Sequence, residues 1–287
     1  MGMELGRVNM EFTGERYVPD QQGQIKYEHL HRYVLSLEWA KRKTVLDVAS
    51  GEGYGAALLA TGAASVVGVD VDLKSVEHAQ RKYIARKNLR FVVGGCDALP
   101  LTDNSIDLVT SFETIEHHSR HQEMLREIKR VLRPTGVLII STPNRDTYSD
   151  GLQSHNPYHV RELSWDELNS LLKQHFQSVD FYGQRLATGS FIYPLSGANI
   201  ADSYRSYTSE GELSGQGIPS LKSPIYFLAV CSNENGTVQQ HNVSSIYIDR
   251  EVDLFEQYVN VSKWANALSS RVADQEQALT AITTSLA

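Results

Sequence analysis

Hydrophobic and polar positions follow two different patterns along the middle of the chain. Between Thr44 and Phe227, short continuous apolar runs alternate with segments of helical periodicity. This order is typical of an α/β domain, in which a sheet carries helices on both faces. Because the runs are continuous, they predict a doubly wound, Rossmann-like sheet of buried strands. Seven strands are expected, at Thr44–Ala49, Ser65–Val69, Leu89–Val93, Ile106–Ser111, Gly136–Ser141, Ser178–Tyr182 and Ile225–Ser232.

The segments between and ahead of these strands predict helices. Their bounds are Tyr27–Lys43, Ala56–Thr61, Leu73–Arg86, His121–Leu132 and Ser164–His175. Ser164-Trp-Asp-Glu167 has the S-x-x-E form of a capping box, which predicts a helix start there. Arg133-Pro-Thr-Gly136 predicts a helix stop directly before the fifth strand.

The C-terminal third of the chain has a different character. Residues 186–224 are rich in Ser, Gly and Tyr, which predicts an elaborated loop that serves as a lid over an acceptor. After a polar stretch at 233–242, mostly apolar residues recur at alternating spacings of four and three. This narrow repeat predicts an oligomerising coiled coil; the alternative is one amphipathic helix packed against the domain. The repeat positions are Leu254, Tyr258, Val261, Ala265, Leu268, Val272, Gln275, Leu279, Ile282 and Leu286.

Composition and charge narrow the expected partners and compartment. The formal net charge is −7, which argues against a nucleic-acid partner, because such proteins usually carry a basic stripe. No apolar run reaches the roughly 18 residues of a membrane span, and no signal-peptide pattern is present at the start. Cys96 and Cys231 lack a CxxC partner, so both are expected to be reduced and structural. The expected compartment is the cytoplasm.

A glycine-rich turn follows the first strand, in Asp47-Val-Ala-Ser-Gly-Glu-Gly-Tyr-Gly55. Glycines between a strand and a helix let a ligand approach the backbone, as in nucleotide-binding folds. Asp70 closes the second strand, at the distance from the turn where an acidic residue binds ribose hydroxyls. Asp97 follows the third strand. Three such sites at successive strand ends predict a nucleoside-containing cofactor.

With these features the chain resembles class I S-adenosylmethionine (SAM) dependent methyltransferases, over nearly all of residues 10–232. The resemblance implies that Gly51 and Gly53 line the methionine part of SAM and that Asp70 holds the ribose. It also implies that Asp97 and the Ala98 amide read the adenine. The full cofactor set that it implies is Arg32, Asp47, Ala49, Gly51, Gly53, Asp70, Val71, Asp97, Ala98 and Phe112.

A cluster of acidic and imidazole side chains follows the fourth strand, in Glu113-Thr-Ile-Glu-His117. If this segment is helical, Glu113, Glu116 and His117 share one face. Two carboxylates and an imidazole suit Mg²⁺ or Mn²⁺ better than zinc. His159 is the expected fourth ligand, and His155 is the competing candidate. The pattern is similar to that of metal-dependent methyltransferases that modify ribose at RNA ends and of some ubiquinone-pathway O-methyltransferases.

Two other interpretations of this motif remain open. Glu116 and His117 are also compatible with the start of a surface helix that binds no metal. Alternatively, His117, His118 or His159 removes the acceptor proton as a general base. The expected catalytic set is Glu116, His117 and His118.

Four further segments resemble bacterial methyltransferases of cell-surface polysaccharide synthesis, some of which cap an O-antigen glycan and carry a coiled coil. They are Phe12-Thr-Gly-Glu-Arg-Tyr-Val-Pro19, Tyr27-Glu-His-Leu-His-Arg-Tyr33, Ser141-Thr-Pro-Asn-Arg145 and Asn156-Pro-Tyr-His159. The leading hypothesis is a metal-assisted O-methyltransferase that acts on a terminal sugar hydroxyl, as a candidate chain terminator. The alternatives are an O-methyltransferase for a quinone precursor or other small aromatic, and a SAM-binding assembly module.

The sequence patterns and the resemblance together predict an organisation and a set of partners. Residues 1–43 form a segment and helix that cover the cofactor site, 44–232 the methyltransferase domain, 233–249 a linker and 250–287 the coiled coil. The expected partners are a glycan or lipid-linked glycan and further copies of the chain. A glycan-polymerising glycosyltransferase at the inner membrane face is a further candidate, which extends the expected location to the membrane periphery.

Overall fold

The computed structural model describes residues 23–150, 156–187, 223–234, 245–248 and 253–286, and two short strands at 207–208 and 211–212. The segment Phe12–Pro19, the candidate ligand His155 and most of the predicted lid lie outside these residues. In the described part of the chain the strands are β1 (Thr44–Val48), β2 (Ser65–Asp70), β3 (Leu89–Val93), β4 (Ile106–Phe112), β5 (Leu132–Pro143), β6 (Ser178–Gln184), β7 (Tyr207–Thr208), β8 (Gly211–Glu212) and β9 (Tyr226–Ser232). The helices there are α1 (Gln24–Ala40), α2 (Tyr54–Leu59), α3 (Leu73–Lys82), α4 (His121–Val131), α5 (Arg145–Tyr148), α6 (Trp165–His175) and α7 (Asp253–Leu286).

Seven of these strands form one mixed sheet, as the sequence predicts. Their order is β3-β2-β1-β4-β5-β9-β6. The strands from β3 to β5 are parallel, whereas β9 runs antiparallel to both β5 and β6. The strand order reverses at β1, so a crevice at the carboxyl ends of β1 and β4 is the expected ligand position. The short strands β7 and β8 pair only with each other.

The predicted helix stop before the fifth strand takes an unexpected form. Helix α4 ends at Val131, and Leu132 already pairs with Ile106 of β4. The register then shifts, so that Leu108 faces Val137 and the Arg133-Pro-Thr-Gly136 segment interrupts the ladder. Proline has no N–H to donate to a ladder, which accounts for the irregularity at this point. The regular part of β5 begins where the sequence predicts the strand.

Both faces of the sheet are covered by hydrophobic side chains. Leu46 and Val48 of β1 belong to one core cluster, which includes Leu125 of α4 and Leu168 of α6. Val45 belongs to the other, with residues of α1, α2 and α3. Alternate residues of a strand point to opposite faces, so the continuous apolar runs supply both clusters. The predicted capping box is also present, since Ser164 and Glu167 exchange hydrogen bonds at the start of α6.

Helix α1 also contacts part of the predicted linker. The ring of Tyr247 lies 6.0 Å from that of Tyr27 and 5.8 Å from that of His31, between centroids. Ser245 Oγ lies 3.0 Å from His31 Nε2. Residues 245–248 therefore pack along the helix that the sequence places over the cofactor site.

Helix α7 is long and exposed. It spans 34 residues, and its described repeat positions include Tyr258, Val261, Leu268, Val272 and Leu279, of which Leu268 is the least exposed at 42%. Among the described residues, no helix combines the length and the apolar composition that a membrane crossing requires.

Candidate functional site

Asp47, near the end of β1, lies inside the protein. Its carboxylate accepts hydrogen bonds from the Tyr33 hydroxyl at 3.1 Å and the Thr110 hydroxyl at 2.7 Å, and from the Ala56 N–H in the first turn of α2. Burial raises the pKa of Asp47 to about 7 in spite of these hydrogen bonds. The sequence assigns Asp47 to the cofactor set. In the structure its carboxylate instead binds groups of the protein, which hold the glycine-rich turn against the sheet.

The turn itself is built from residues in left-handed conformations. Ala49, Gly51 and Gly53 have φ angles of 56°, 54° and 92°. A Cβ atom added at Gly53 would lie 2.7 Å from the ring of Phe91, so packing requires a glycine there. A Cβ atom at Gly51 would meet nothing within 4 Å. The backbone at Gly51 therefore faces an open space that a ligand can enter.

Asp70 lies next to this open space. Its Oδ2 atom accepts a hydrogen bond from the Gly51 N–H at 2.8 Å, and its Oδ1 atom accepts one from the Asp72 N–H at 2.9 Å. A carboxylate only accepts hydrogen bonds when it is ionised, and ribose hydroxyls are donors of the kind that such a group binds. Val71, beside it, is 73% exposed and offers an apolar surface at the same edge.

Asp97 and Ala98, beyond β3, already have partners within the protein. The Asp97 carboxylate accepts a hydrogen bond from Arg120 and lies 3.5 Å from His118 Nε2. The Ala98 N–H donates to the Gly95 carbonyl at 3.2 Å. An adenine ring read by this pair would have to share or displace these contacts. His118 thus lies on the expected cofactor side, next to Asp97.

Arg32 is buried on α1 and reaches across to the end of β4. Its Nη1 atom lies 3.2 Å from Glu113 Oε1, and its Nε–H donates to Gln184 Oε1 at 2.6 Å. The guanidinium also lies 4.5 Å from the ring centroid of Tyr226. Glu28, one helical turn before Arg32, is buried beside it, and burial raises the pKa of Glu28. These residues form a polar patch between α1 and the sheet edge.

Glu113 does not join the helical face that the sequence predicts. It has a φ angle of 48°, and the chain forms only a short 3₁₀ turn, Ile115–His117, after it. Its carboxylate accepts a hydrogen bond from Ser141 Oγ at 2.6 Å and pairs with Arg32. Because Glu113 is in the left-handed conformation, a helix cannot include it. Three of the four predicted metal ligands, Glu116, His117 and His159, then remain together in this conformation.

Glu116, His117 and His159 do come together. One ligand atom from each lies within 4.8 Å of the other two, and the His117 and His159 rings are 4.9 Å apart. Glu116 is fully buried; its Oε2 atom accepts from Thr142 at 3.2 Å, and its Oε1 atom has no hydrogen-bond partner among the described residues. Burial, and then repulsion from Glu113, raise the pKa of Glu116 well above its usual range. A positive charge beside this carboxylate would offset both effects.

The imidazole of His159 is held by residues that the sequence reasoning missed. Its Nδ1 atom lies 2.5 Å from Glu162 Oε1, and its Nε2 atom lies 3.0 Å from Asn156 Nδ2. Tyr148 stacks on the same ring, with 5.6 Å between centroids. The H-x-x-E spacing of His159 and Glu162 was visible in the sequence, but only the loop geometry shows that the two side chains meet.

The amino-acid sequence is similar to those of known proteins. Residues 46–140 match the family described as "Methyltransferase domain". A protein of Mycobacterium tuberculosis named "Probable S-adenosylmethionine-dependent methyltransferase" is 41% identical over 167 residues. Residues 46–140 thus resemble a methyltransferase domain, and the chain is similar to SAM-dependent methyltransferases. The open space at Gly51 and the adjoining Asp70 carboxylate lie at the carboxyl edge of the sheet, where this resemblance leads us to expect SAM.

Other similarities bear on the fold and the substrate. The alignment with the mycobacterial protein covers 57% of this chain and 60% of that protein, so the chain spans about three fifths of the length of this relative. "Demethylmenaquinone methyltransferase" of Renibacterium salmoninarum is 30% identical over 42% of this chain and 49% of its own length. The crystal structure of YcgJ from Bacillus subtilis superposes with a TM-score of 0.51 at 21% identity, over 72% of this chain and all of YcgJ. This superposition supports the assignment of the methyltransferase fold.

Proposed function

We propose that the protein is an O-methyltransferase that transfers the methyl group of SAM to a hydroxyl held beside Glu116, His117 and His159. The observation that carries this proposal is the convergence of these three side chains, within 4.8 Å of one another. They follow β4 and β5 at the carboxyl edge that also holds the glycine-rich turn. SAM supplies the electrophilic methyl group, so the chain has to orient the acceptor and accept a proton.

The donor set supports a divalent cation with open coordination positions. The Tyr158 carbonyl lies 3.0 Å from His117 Nδ1, and Glu162 lies 2.5 Å from His159 Nδ1. Both partners are acceptors, so each Nδ1 carries the proton and each Nε2 presents a lone pair. Two imidazoles and one carboxylate favour Mn²⁺ over Mg²⁺, because Mg²⁺ prefers oxygen ligands. Such an ion supplies Lewis acidity, which lowers the pKa of a bound hydroxyl.

The chain's own residues offer a second way to remove the proton. If no cation binds, the unprotonated ring nitrogen of His117 or of His159 accepts the hydroxyl proton as a general base. His118 is less suited to this role, because its Nε2 atom lies 3.5 Å from Asp97. Removal of metal therefore separates the two mechanisms.

The polar patch next to the three residues supports a polyhydroxylated acceptor. Glu28, Arg32 and Glu113 are charged groups at the margin of this site, and two of them are more than nine-tenths buried. We propose a terminal sugar hydroxyl of a bacterial surface polysaccharide, such as O-antigen, as the acceptor. A vicinal hydroxyl would act as a second ligand to the cation.

One observation favours a second acceptor, a quinone precursor or related aromatic. The relative from Renibacterium bears the name of a demethylmenaquinone methyltransferase. The rings of Tyr148 and Tyr226 lie 5.8 Å apart at the margin of the site, and offer apolar surface to an aromatic acceptor.

The test is methyl transfer from labelled SAM by the purified protein, with sugar and catechol acceptors. We expect EDTA to abolish activity and Mn²⁺ to restore it better than Mg²⁺. Glu116→Gln and His117→Ala should each lower kcat at least tenfold, whereas Glu123→Gln, a half-buried carboxylate on α4, should not. Full activity in EDTA contradicts the metal. Efficient methylation of catechols alone favours the second acceptor.

A third interpretation is an assembly module that binds SAM without turnover. Helix α7 supports the assembly part, because its repeat residues Tyr258, Val261, Leu268, Val272 and Leu279 are exposed. We propose that α7 joins copies of the chain in a coiled coil that accompanies catalysis. Turnover that is lost in Glu116→Gln excludes the module without activity.

A further inference from the structure

Glu162 is a buried carboxylate in contact with the imidazole of His159. The distance from His159 Nδ1 to Glu162 Oε1 is 2.5 Å, and both side chains are 6% exposed. Ser149 Oγ donates to the same carboxylate oxygen at 2.7 Å. The carboxylate is thus held from two sides, which fixes the direction in which it accepts the imidazole proton.

The opposite nitrogen of the ring has an equally defined environment. Asn156 Oδ1 accepts the Tyr158 N–H at 3.1 Å, so the amide nitrogen of Asn156 is the atom that faces His159 Nε2, at 3.0 Å. An amide nitrogen only donates, so Nε2 must accept. Two independent contacts therefore select the Nδ1–H tautomer of His159.

The backbone ties this arrangement to the rest of the site. The Glu116 carbonyl accepts hydrogen bonds from the N–H groups of Val160 and Arg161, at 2.8 and 2.9 Å. The segment that carries His159 and Glu162 is therefore attached to the turn that carries Glu116 and His117. The ring of His159 can rotate only about its own side-chain bonds, and Glu162 restrains that rotation.

We infer that Glu162 is the positioning residue of this site: its carboxylate holds His159 in the Nδ1–H tautomer and presents Nε2 to the acceptor hydroxyl or its cation. The inference rests on the proposed role of His159. Glu162 touches neither reactant and acts through the imidazole. The Asn156 amide donates a hydrogen bond to Nε2, and an acceptor or cation that binds at the site would replace this hydrogen bond.

The experiment reads the tautomer directly, by long-range ¹H–¹⁵N NMR of histidine-labelled full-length protein at one fixed pH, with His159→Gln used for assignment. We expect Nδ1–H in the wild type, a mixture of tautomers in Glu162→Ala, and recovery in Glu162→Gln, whose amide oxygen can still accept. Glu123→Ala is the matched control. A wild-type Nε2–H tautomer or a charged ring overturns the inference even if Glu162→Ala fails to fold.

Mn²⁺ titration of the same proteins shows whether Glu162 acts through His159. Glu162→Ala should weaken Mn²⁺ binding about tenfold or more, the range typical of residues that orient metal ligands. In the His159→Gln background it should have little further effect, because the residue through which it acts is gone. An equal loss in both backgrounds overturns the inference. If the wild type binds no Mn²⁺, the metal part of the proposed function fails, and the tautomer still decides the role of Glu162.

Discussion

Arg32 and Glu113 form a buried ion pair that joins α1 to the loop after β4, with 3.2 Å between Nη1 and Oε1. The two side chains are 1% and 14% exposed. Both Nη atoms of Arg32 lack a hydrogen bond of good geometry among the described residues, so the attraction is mainly electrostatic.

Removal of one partner of this ion pair should lower the free energy of unfolding more than removal of both partners. Arg32→Met leaves the Glu113 carboxylate uncompensated in a largely buried position, and removal of one member of a buried pair typically costs about 3–5 kcal/mol. We expect Arg32→Met to lower the free energy of unfolding in urea by about that amount. The double variant Arg32→Met/Glu113→Gln should recover part of the loss. A double variant less stable than the single one would show that the pair is not the dominant interaction.

The open space at Gly51 predicts a selective effect on cofactor binding. A Cβ atom at Gly51 would enter the space through which SAM approaches the backbone, in a left-handed conformation that side chains disfavour. We expect Gly51→Ala to raise the dissociation constant for SAM about tenfold, equivalent to about 1.4 kcal/mol, by calorimetry. Gly62→Ala is the matched control, because its Cβ also meets nothing within 4 Å. Equal affinities of the two variants for SAM would contradict a role of Gly51 in cofactor binding.

Glu167 should make stability depend on acidic pH. Hydrogen bonding from the Ser164 backbone, with help from Arg161 and Arg145, lowers the pKa of Glu167 to about 2 from an ordinary 4.5. Its contribution is therefore complete above pH 4.5 and is lost as pH falls towards 2. We expect Glu167→Gln to be less stable than the wild type at pH 7, and the difference to shrink below pH 4.5. Urea unfolding of both proteins at several pH values measures this difference in stability. A difference independent of pH would contradict an ionised Glu167 as the source.

A charge in the repeat of α7 should separate the copies of the chain. Leu279 is a repeat position and is 65% exposed, whereas Gln277 lies on the opposite face of the heptad. We expect Leu279→Glu to shift the protein to smaller species in sedimentation velocity and to lower its helicity, because a charge disrupts a coiled-coil seam. Gln277→Glu should leave both unchanged. A monomeric wild type at micromolar concentration would contradict the coiled coil.

The sequence was sufficient where the signal is local. The strands, the glycine-rich turn and the Ser164 capping box each depend on residues close together in the chain, and the structure contains them all. Glu113 was assigned to a helical face because its spacing fits one, but spacing cannot show a left-handed residue or an arginine that reaches across from α1. The bonding of Glu162 to His159 likewise depends on how the loop folds back onto Glu116.

The two ends of the segment between β6 and β9 meet at one rung of the sheet. Gln184 pairs with Tyr226, and the Ile225 N–H bonds to the Gln184 carbonyl at 3.1 Å. The free-energy cost of closing a flexible loop rises by only about 0.6 kcal/mol when its length doubles. A change in the length of the sequence between these two residues should therefore have little effect on the pairing of β6 with β9. Gln184 and Tyr226 are therefore the junctions at which this segment can be exchanged to test whether it determines the acceptor.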